Sequence, residues 1–574
     1  MKHPRKHLTA AWMVLPLCAV PAQAGPPIRF VEVGASRGIG DYRMAEGMGG
    51  GAAVADFDGD GDIDIFVPTG EGMPDRLYRN NGKGVFEDIA AKAGVASTFA
   101  NRCALWFDYD GDGDLDLIVA NDVEQEPSTY RLYRQNAPSR FQDVTIEAGL
   151  FTPMSDPGRG FMPPHRGGFA AGDLNNDGYL DLFAALWNGR SHLFLNNRDG
   201  TFTDISESSG INKVTRFSHQ PVMADFDGDG WTDIFVAVDF GPNDLWINQR
   251  DGTFENRAAS AGVDNAMNDM GVALGDYDND GDFDLFITNI FDDGFHNVML
   301  RNDTADGDKP TFTEVSESLG VRDTGWAWGT TFFDADHDGL LDLVATNGWH
   351  SDPWRDDPSK FFWNLGGDPV EMLDASDEVG FNDTFFGSTL IAFDADRDGD
   401  LDLLQTTMGG PLRLLENRLV GGGASYVVVQ PRMRGPNSVA IGAVVRVRAC
   451  GVDQMRIVRA GTSYLGQEPA EADFGLGAAD TAEQVTIDWP DGTRTVLEDV
   501  GANQILTVTH GGFGDLDADG DVDLDDWALF APCITGPTPG GIIYTDDCRA
   551  ADVDADGDVD LADAVVVIER FTRD

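Results

Sequence analysis

The chain has 574 residues, 42% of them hydrophobic, which exceeds one ordinary domain and is enough to build roughly two to four separate cores. Against 40 lysines and arginines stand 98 acidic residues, for a formal charge of -58 and a pI near 4.1. Such a field repels phosphate backbones and anionic bilayers, so nucleic acid and membrane surfaces are excluded as partners.

The first 24 residues have the layout of a secretory leader. A basic start (Lys2, Arg5, Lys6) precedes an apolar run from Leu8 to Val20 and a small-x-small site at Ala22-Gln23-Ala24. A secreted or cell-surface product is expected. Pro16 interrupts the apolar run, and no later stretch reaches the roughly 20 apolar residues of a spanning helix, so no membrane insertion is expected. Cys18 leaves with the leader. Cys103 and Cys450 are expected as buried thiols, and the close pair Cys533 and Cys548 as a disulfide.

A nine-residue acidic pattern then occurs seven times, at intervals of roughly 50–65 residues. It reads DFDGDGDID from Asp56, DYDGDGDLD from Asp108, DLNNDGYLD from Asp173, DFDGDGWTD from Asp225, DYDNDGDFD from Asp276, DADHDGLLD from Asp334 and DADRDGDLD from Asp394. Small apolar runs such as GGGAAVA precede each loop, and β-rich runs such as IFVP or LIVA follow it. A further run ending in Asn (LYRNN, LFLNN, LWINQ), a Gly turn and an F-x-[DE] strand complete four strands per unit. Units of this size without helical periodicity suit a seven-bladed β-propeller over 28–418. The last unit lacks its F-x-[DE] strand, while an orphan copy, Phe30-Val31-Glu32-Val33, precedes the first loop. Pairing of the two would close the ring and remove both open edges.

Positions 1, 3, 5 and 9 of each loop converge as oxygen ligands, position 7 offers a carbonyl, and the glycine at position 6 permits the bend. The predicted ligands are Asp56, Asp58, Asp60 and Asp64; Asp108, Asp110, Asp112 and Asp116; Asp173, Asn175, Asp177 and Asp181; Asp225, Asp227, Asp229 and Asp233. The later loops supply Asp276, Asp278, Asp280 and Asp284; Asp334, Asp336, Asp338 and Asp342; and Asp394, Asp396, Asp398 and Asp402. All-oxygen sets of this hardness favour Ca2+ over zinc, and about seven ions are expected. A bare Asp-Gly turn needs one or two such residues, whereas four crowded carboxylates oppose folding without a cation. His337, at position 4 of loop six, is expected to point outward. These loops resemble the FG-GAP/VCBS repeats of integrin α-subunit propellers and many bacterial surface proteins.

After the Gly-rich joint VGGGAS the chain turns β-rich, and a small β-sandwich-like domain is expected over 425–510. The motifs IGAVVRV from Ile441, AGTSYLGQ from Ala460, FGLG from Phe474, WPDG from Trp489 and Asn503-Gln504 resemble the ASPIC/UnbV domain. In the cartilage acidic protein family this domain follows an FG-GAP propeller. Gly475, Gly477 and Pro490 are read as turn residues.

Two twelve-residue loops follow within 515–574, DLDADGDVDLDD and DVDADGDVDLAD. Asp515, Asp517, Asp519 and Asp526, then Asp552, Asp554, Asp556 and Asp563, sit where half an EF-hand places its ligands, each ahead of a helical pattern. About two further Ca2+ ions are expected in this short α-helical module. The tandem is similar to a type I dockerin, which implies a cohesin-like partner, although an Asp stands at position 12.

If the acidic loops join strands one and two, the other face collects the variable residues. It presents Arg102, His165, His219, Asp269, Trp326, Trp328, His350 and Trp354 as candidate ligand-binding groups. Aromatic rings beside acids and amides make a glycan platform, with packing between neighbouring units as the plainer use. The function expected is extracellular binding, adhesion or scaffolding with a protein or glycan partner. The alternative is a calcium-dependent polysaccharide lyase, with His165, His219, Arg102 and Asp269 as acid/base candidates. An H-E-x-x-H motif is absent from the sequence.

Overall fold

The computed structural model describes residues 25–510 except 41, 43, 45–47, 123–129, 151–164, 212, 293, 305–308 and 421–423, together with Trp527, Phe530 and Ala531. The predicted leader, Cys533, Cys548 and the eight aspartates of the two terminal loops lie outside the described residues.

The described chain is mainly β, with short helical turns between strands. Each acidic loop joins the first two strands of an antiparallel sheet. The first sheet takes Ala52–Ala55, Asp64–Val67, Arg76–Arg79 and Glu87–Asp88; the sixth takes Ala327–Phe333, Asp342–Asn347, Lys360–Asn364 and Met372–Asp374. The strand Gly387–Phe393 opens the last sheet, and the amino-terminal strand Ile28–Glu32 completes it, pairing antiparallel with Arg413–Leu419 so that Ile28 faces Leu419 and Glu32 faces Leu415.

Alternation alone would leave each sheet two-faced, but most of these strands are buried on both faces because neighbouring sheets share cores. Ala53 and Phe66 of the first sheet pack with Ala104 and Trp106 of the second, and Phe333 and Phe361 of the sixth pack with Phe30 and Leu403 of the last. Val54 and Ile65 of the first sheet share a cluster with Ile391 and Leu404 of the last. The first strands touch in chain order, and that of the last sheet touches that of the first.

The β-domain from Ser425 to His510 has two sheets. Ser425–Met433 lies between Ala472–Gly477 and Gln504–His510, and the strand order of the other sheet is Val452–Ile457, Val444–Ala449, Thr481–Asp488, Arg494–Gly501. Val427, Ile441, Val447, Phe474 and Trp489 fill its interior. Between Ile457 and Ala472 the chain leaves this domain and enters the centre of the repeat array. Ala460 bridges Ala171, Ser463 bridges Val272, and Gly466-Gln467 pairs in parallel with Ala52-Ala53. Gln467 also exchanges hydrogen bonds with the backbone of Trp106, and Leu465 N–H donates to Gln220. The Ser463 hydroxyl accepts from Thr330 and Leu390. Residues 460–467 therefore contact the first strand of every repeat. The glycine run before the first loop now has a reason: a Cβ on Gly51 would lie 1.7 Å from the Leu465 carbonyl oxygen.

Cys103 is a free, buried thiol, and burial pushes its pKa well up. Cys450 is disulfide-bonded, which corrects the expectation of a thiol there.

Candidate metal centres in the acidic loops

Every loop is held by the same hydrogen bonds. The first aspartate accepts from the glycine amide at position 6, at 3.0 Å for Asp56 and Gly61 and 2.7 Å for Asp225 and Gly230. The aspartate at position 5 accepts from the amide two residues on, as Asp338 does from Leu340 at 2.9 Å. The ninth residue begins the second strand and accepts from an amide of the third: Asn80 to Asp64 at 2.7 Å, Asn364 to Asp342 at 2.8 Å. Backbone donors thus fix which oxygens stay free.

Those remaining oxygens carry the test of fit. At position 3, one oxygen each of Asp58, Asp110, Asn175, Asp227, Asp278 and Asp336 is buried without a hydrogen-bond partner, as are Asp56 Oδ1 and Asp64 Oδ2. Asn175 donates its amide N–H to Asp177 at 2.9 Å, which leaves its carbonyl oxygen as the free group. Ligand oxygens of Asp56, Asp58 and Asp64 lie within 4.8 Å of one another, and so do those of Asp108, Asp110 and Asp116 and of Asp276, Asp278 and Asp284. Without a cation, burial followed by repulsion between neighbours raises Asp64 and Asp116 to about 9 and Asp233 to about 8. Buried acceptors of this number, unmatched by donors, fit a hard divalent cation. The nearby arginines are poor substitutes: Arg79 reaches Asp58 at 2.7 Å and Arg250 reaches Asp229 at 2.7 Å, but both side chains are about half exposed.

Two features of the loops escaped the sequence reading. In five repeats the Asn at the end of the third strand is a cross-sheet tie: its side chain donates to the carbonyl at position 2 of the preceding loop, as from Asn196 to Tyr109, Asn248 to Leu174 and Asn417 to Ala335, each at 2.8 Å. Gln135 does the same to Phe57 at 2.9 Å. The recurrence of Asn at this place in every repeat but the second was the available signal. Position 4 is left-handed throughout, and where it is not glycine its side chain reaches the next loop. Asn279 donates to Gly339 O at 3.0 Å, and Arg397 to Gly61 O at 2.9 Å. His337 belongs to this series. It is buried, 4% exposed, against the expectation that it points outward, and its Nε2 lies 3.0 Å from Asp400.

On the opposite side the predicted groups divide into buried and partly exposed sets. Arg102, His219, Asp269 and Trp328 are buried. Arg102 donates to the Tyr464 hydroxyl at 2.7 Å, and Asp269 accepts from Asn265 and Asn289. His165 is half-buried, 2.9 Å from Asp122. Trp326 stacks on Trp349 at 4.7 Å, Trp354 meets Trp326 edge-on at 5.0 Å, and the exposed His350 lies 4.2 Å from Trp349. The rings therefore gather as expected, partly spent on one another.

Comparison with known proteins agrees with this repeat layout. FG-GAP-like repeat matches cover residues 56–119, 108–184, 173–236 and 225–287, and an ASPIC and UnbV match covers 433–513. The chain carries FG-GAP repeats and an ASPIC/UnbV domain. It is homologous to cartilage acidic protein 1, 25% identical over 452 residues of the Homo sapiens protein and 24% over 435 residues of the Xenopus tropicalis protein. These alignments cover 76% and 74% of this chain but 57% of each relative. Among solved structures, the BP39L lectin from Burkholderia pseudomallei superposes with a TM-score of 0.43 at 12% identity over 67% of this chain and 98% of that one. BBS1N in complex with ARL6DN gives 0.40 at 11% over 65% and 93%. Superpositions this loose carry nothing about ligands. Among the described residues, no helix is long and apolar enough to cross a membrane.

Proposed function

We propose that this protein is a secreted, calcium-loaded, seven-bladed β-propeller that acts as an extracellular binding, adhesion or scaffolding protein. The observation that carries the reading is the recurrence, in loop after loop, of a buried position-3 oxygen with no donor. Water supplies two donors per molecule, but a divalent cation also relieves the repulsion among four acids. Seven repeat units with shared cores, the third and fourth joined edge to edge in one nine-stranded sheet, and a last sheet completed by the amino-terminal strand support ring closure. The tail loops are proposed as a second calcium module with a cohesin-like partner, on their motif alone.

The ligand is proposed to meet the face opposite the loops, where Trp326, Trp354 and His350 keep exposed surface. A protein or a glycan fits stacked rings bordered by acids. The lyase is the second reading. Arg102, Asp122, His165, His219 and Tyr464 do come together, but Arg102 and His219 are 3% and 1% exposed, and Arg102 is spent on Tyr464. Calorimetric titration of the calcium-stripped mature chain tests the proposal: uptake of about seven ions or more is expected. No heat of binding would overturn it. A calcium-dependent rise in absorbance from unsaturated sugar would favour the lyase.

A further inference from the structure

The sixth loop is bounded by a second element as well as its own sheet. The strand Ala472–Gly477 of the β-domain runs against it. Gly475 N–H donates to Asp334 Oδ2 at 3.1 Å, the oxygen that also accepts from Gly339 at 2.8 Å. Gly477 N–H donates to His337 O at 2.8 Å, and Gln454 Nε2 holds the Gly475 carbonyl at 2.7 Å. The fit admits no side chain: a Cβ on Gly475 would lie 2.1 Å from Asp334 Oδ2 and 2.4 Å from the His337 backbone. The glycine of the FGLG motif is therefore an interface residue and not merely a turn former. Beside it the His337 ring stacks on Tyr426 at 5.4 Å, and Arg397 of the seventh loop makes a nearly buried ion pair with Glu471 at 3.0 Å.

These contacts lie a few residues from the segment 460–467 that fills the centre of the array. Within the loop, Asp336 is 5% exposed, and its Oδ1 has no partner. Loop four differs. Among the described residues, Asp225 accepts from Gly230 and Asp229 of its own loop, with no donor from the β-domain.

We propose that loop six is a composite calcium site in which Gly475 N–H holds Asp334 in its ligand orientation, so that calcium occupancy there is coupled to docking of the β-domain and seating of residues 460–467. The proposal rests on the calcium reading above. Coupling is reciprocal: whatever loosens the docked strand weakens calcium at loop six, and an empty loop six loosens the strand. Gly475 and Gln454 are positioning residues here.

Hydrogen–deuterium exchange of the full mature chain, followed at residues 461–467 and 472–477, tests the link alongside calorimetric calcium titration. EGTA is expected to speed exchange in both segments. In saturating calcium, Asp336→Asn should do the same, while Asp227→Asn in loop four should leave both segments protected. Gln454→Ala, a second variant that removes one hydrogen bond and none of the loop carboxylates, should weaken one site by about tenfold. Calcium uptake with unchanged exchange in EGTA would overturn the coupling and leave the calcium reading standing. Equal opening by Asp227→Asn, or a Gln454→Ala titration that superimposes on wild type, would also overturn it. Absence of calcium uptake would overturn both.

Discussion

The two sides of the repeat array encode their chemistry at different ranges. On the loop side, ligands, bend and spacing lie within nine consecutive residues, and the same local hydrogen bonds recur in every copy. On the other side, the candidate groups come from several separate segments, and their exposure depends on what the other connections and the β-domain do. A site written locally and repeatedly is carried by the sequence, whereas a site assembled from distant segments is carried by packing. Altering the two sides separately should therefore give different responses.

The largest difference should come from removing the cation. If free calcium stands about tenfold above each dissociation constant, each loop contributes about 1.4 kcal/mol, and seven independent loops roughly 10 kcal/mol. EGTA should lower the melting temperature substantially, and an unchanged melt would refute a structural role for the ions. The pH dependence of the stripped protein sharpens this. Asp64 and Asp116 rise to about 9 and Asp233 to about 8, because burial disfavours their charged forms. From about pH 4, the usual carboxylate range, up to those values, the native state keeps protons that the unfolded chain releases. These groups therefore make the stripped protein progressively less stable as pH rises through that window. In EGTA it should melt higher at about pH 6 than at about pH 8. In saturating calcium the order should reverse, since binding needs carboxylates free of protons. Thermal melts at both pH values with and without EGTA check the crossing.

On the opposite side, Trp328 is 2% exposed, 5.5 Å from the Trp349 ring and 5.1 Å from Tyr464, with its N–H on Gly348 O at 3.1 Å. Trp328→Ala should cost about 3–5 kcal/mol in urea unfolding with calcium present, and leave calcium stoichiometry unchanged. A cost near zero would return this residue to the pool of ligand groups. Asn248→Ala tests the cross-sheet tie. It strands the carbonyls of Leu174 and Thr232 and the amide of Arg250, for a loss of about 2–3 kcal/mol. Equal stability of variant and wild type would show that the tie is incidental.

What was legible in the sequence follows the same division. Asp58 and Asp278 could be placed because their neighbours two and six residues on belong to the same loop. The closing strand was legible because Phe30 and Glu32 copy a pattern missing at the far end. Asn248 was visible as a recurring residue, but its partner Leu174 lies 74 residues away, and spacing does not encode that contact. The role of Tyr464 was hidden for a similar reason: a segment within one domain fills the middle of another. The burial of Arg102 follows from that insertion, so it could not be read before the insertion was known.

Trp354 should show the smallest effect on stability and the sharpest effect on function. It is half-buried, edge-on to Trp326 at 5.0 Å, with a long hydrogen bond of 3.4 Å from its N–H to Phe291 O. Losing one aromatic pair and a weak hydrogen bond should cost about 1 kcal/mol or less. Because Trp326 and Trp349 remain stacked without it, Trp354→Ala should keep both the fold and calcium uptake. If this side takes a glycan, array hits made by the wild-type chain should disappear in this variant and in Trp326→Ala. Hits that survive both substitutions would remove the aromatic platform as the contact surface and leave the four tryptophans as a packing cluster, the same use that burial already assigns to Trp328.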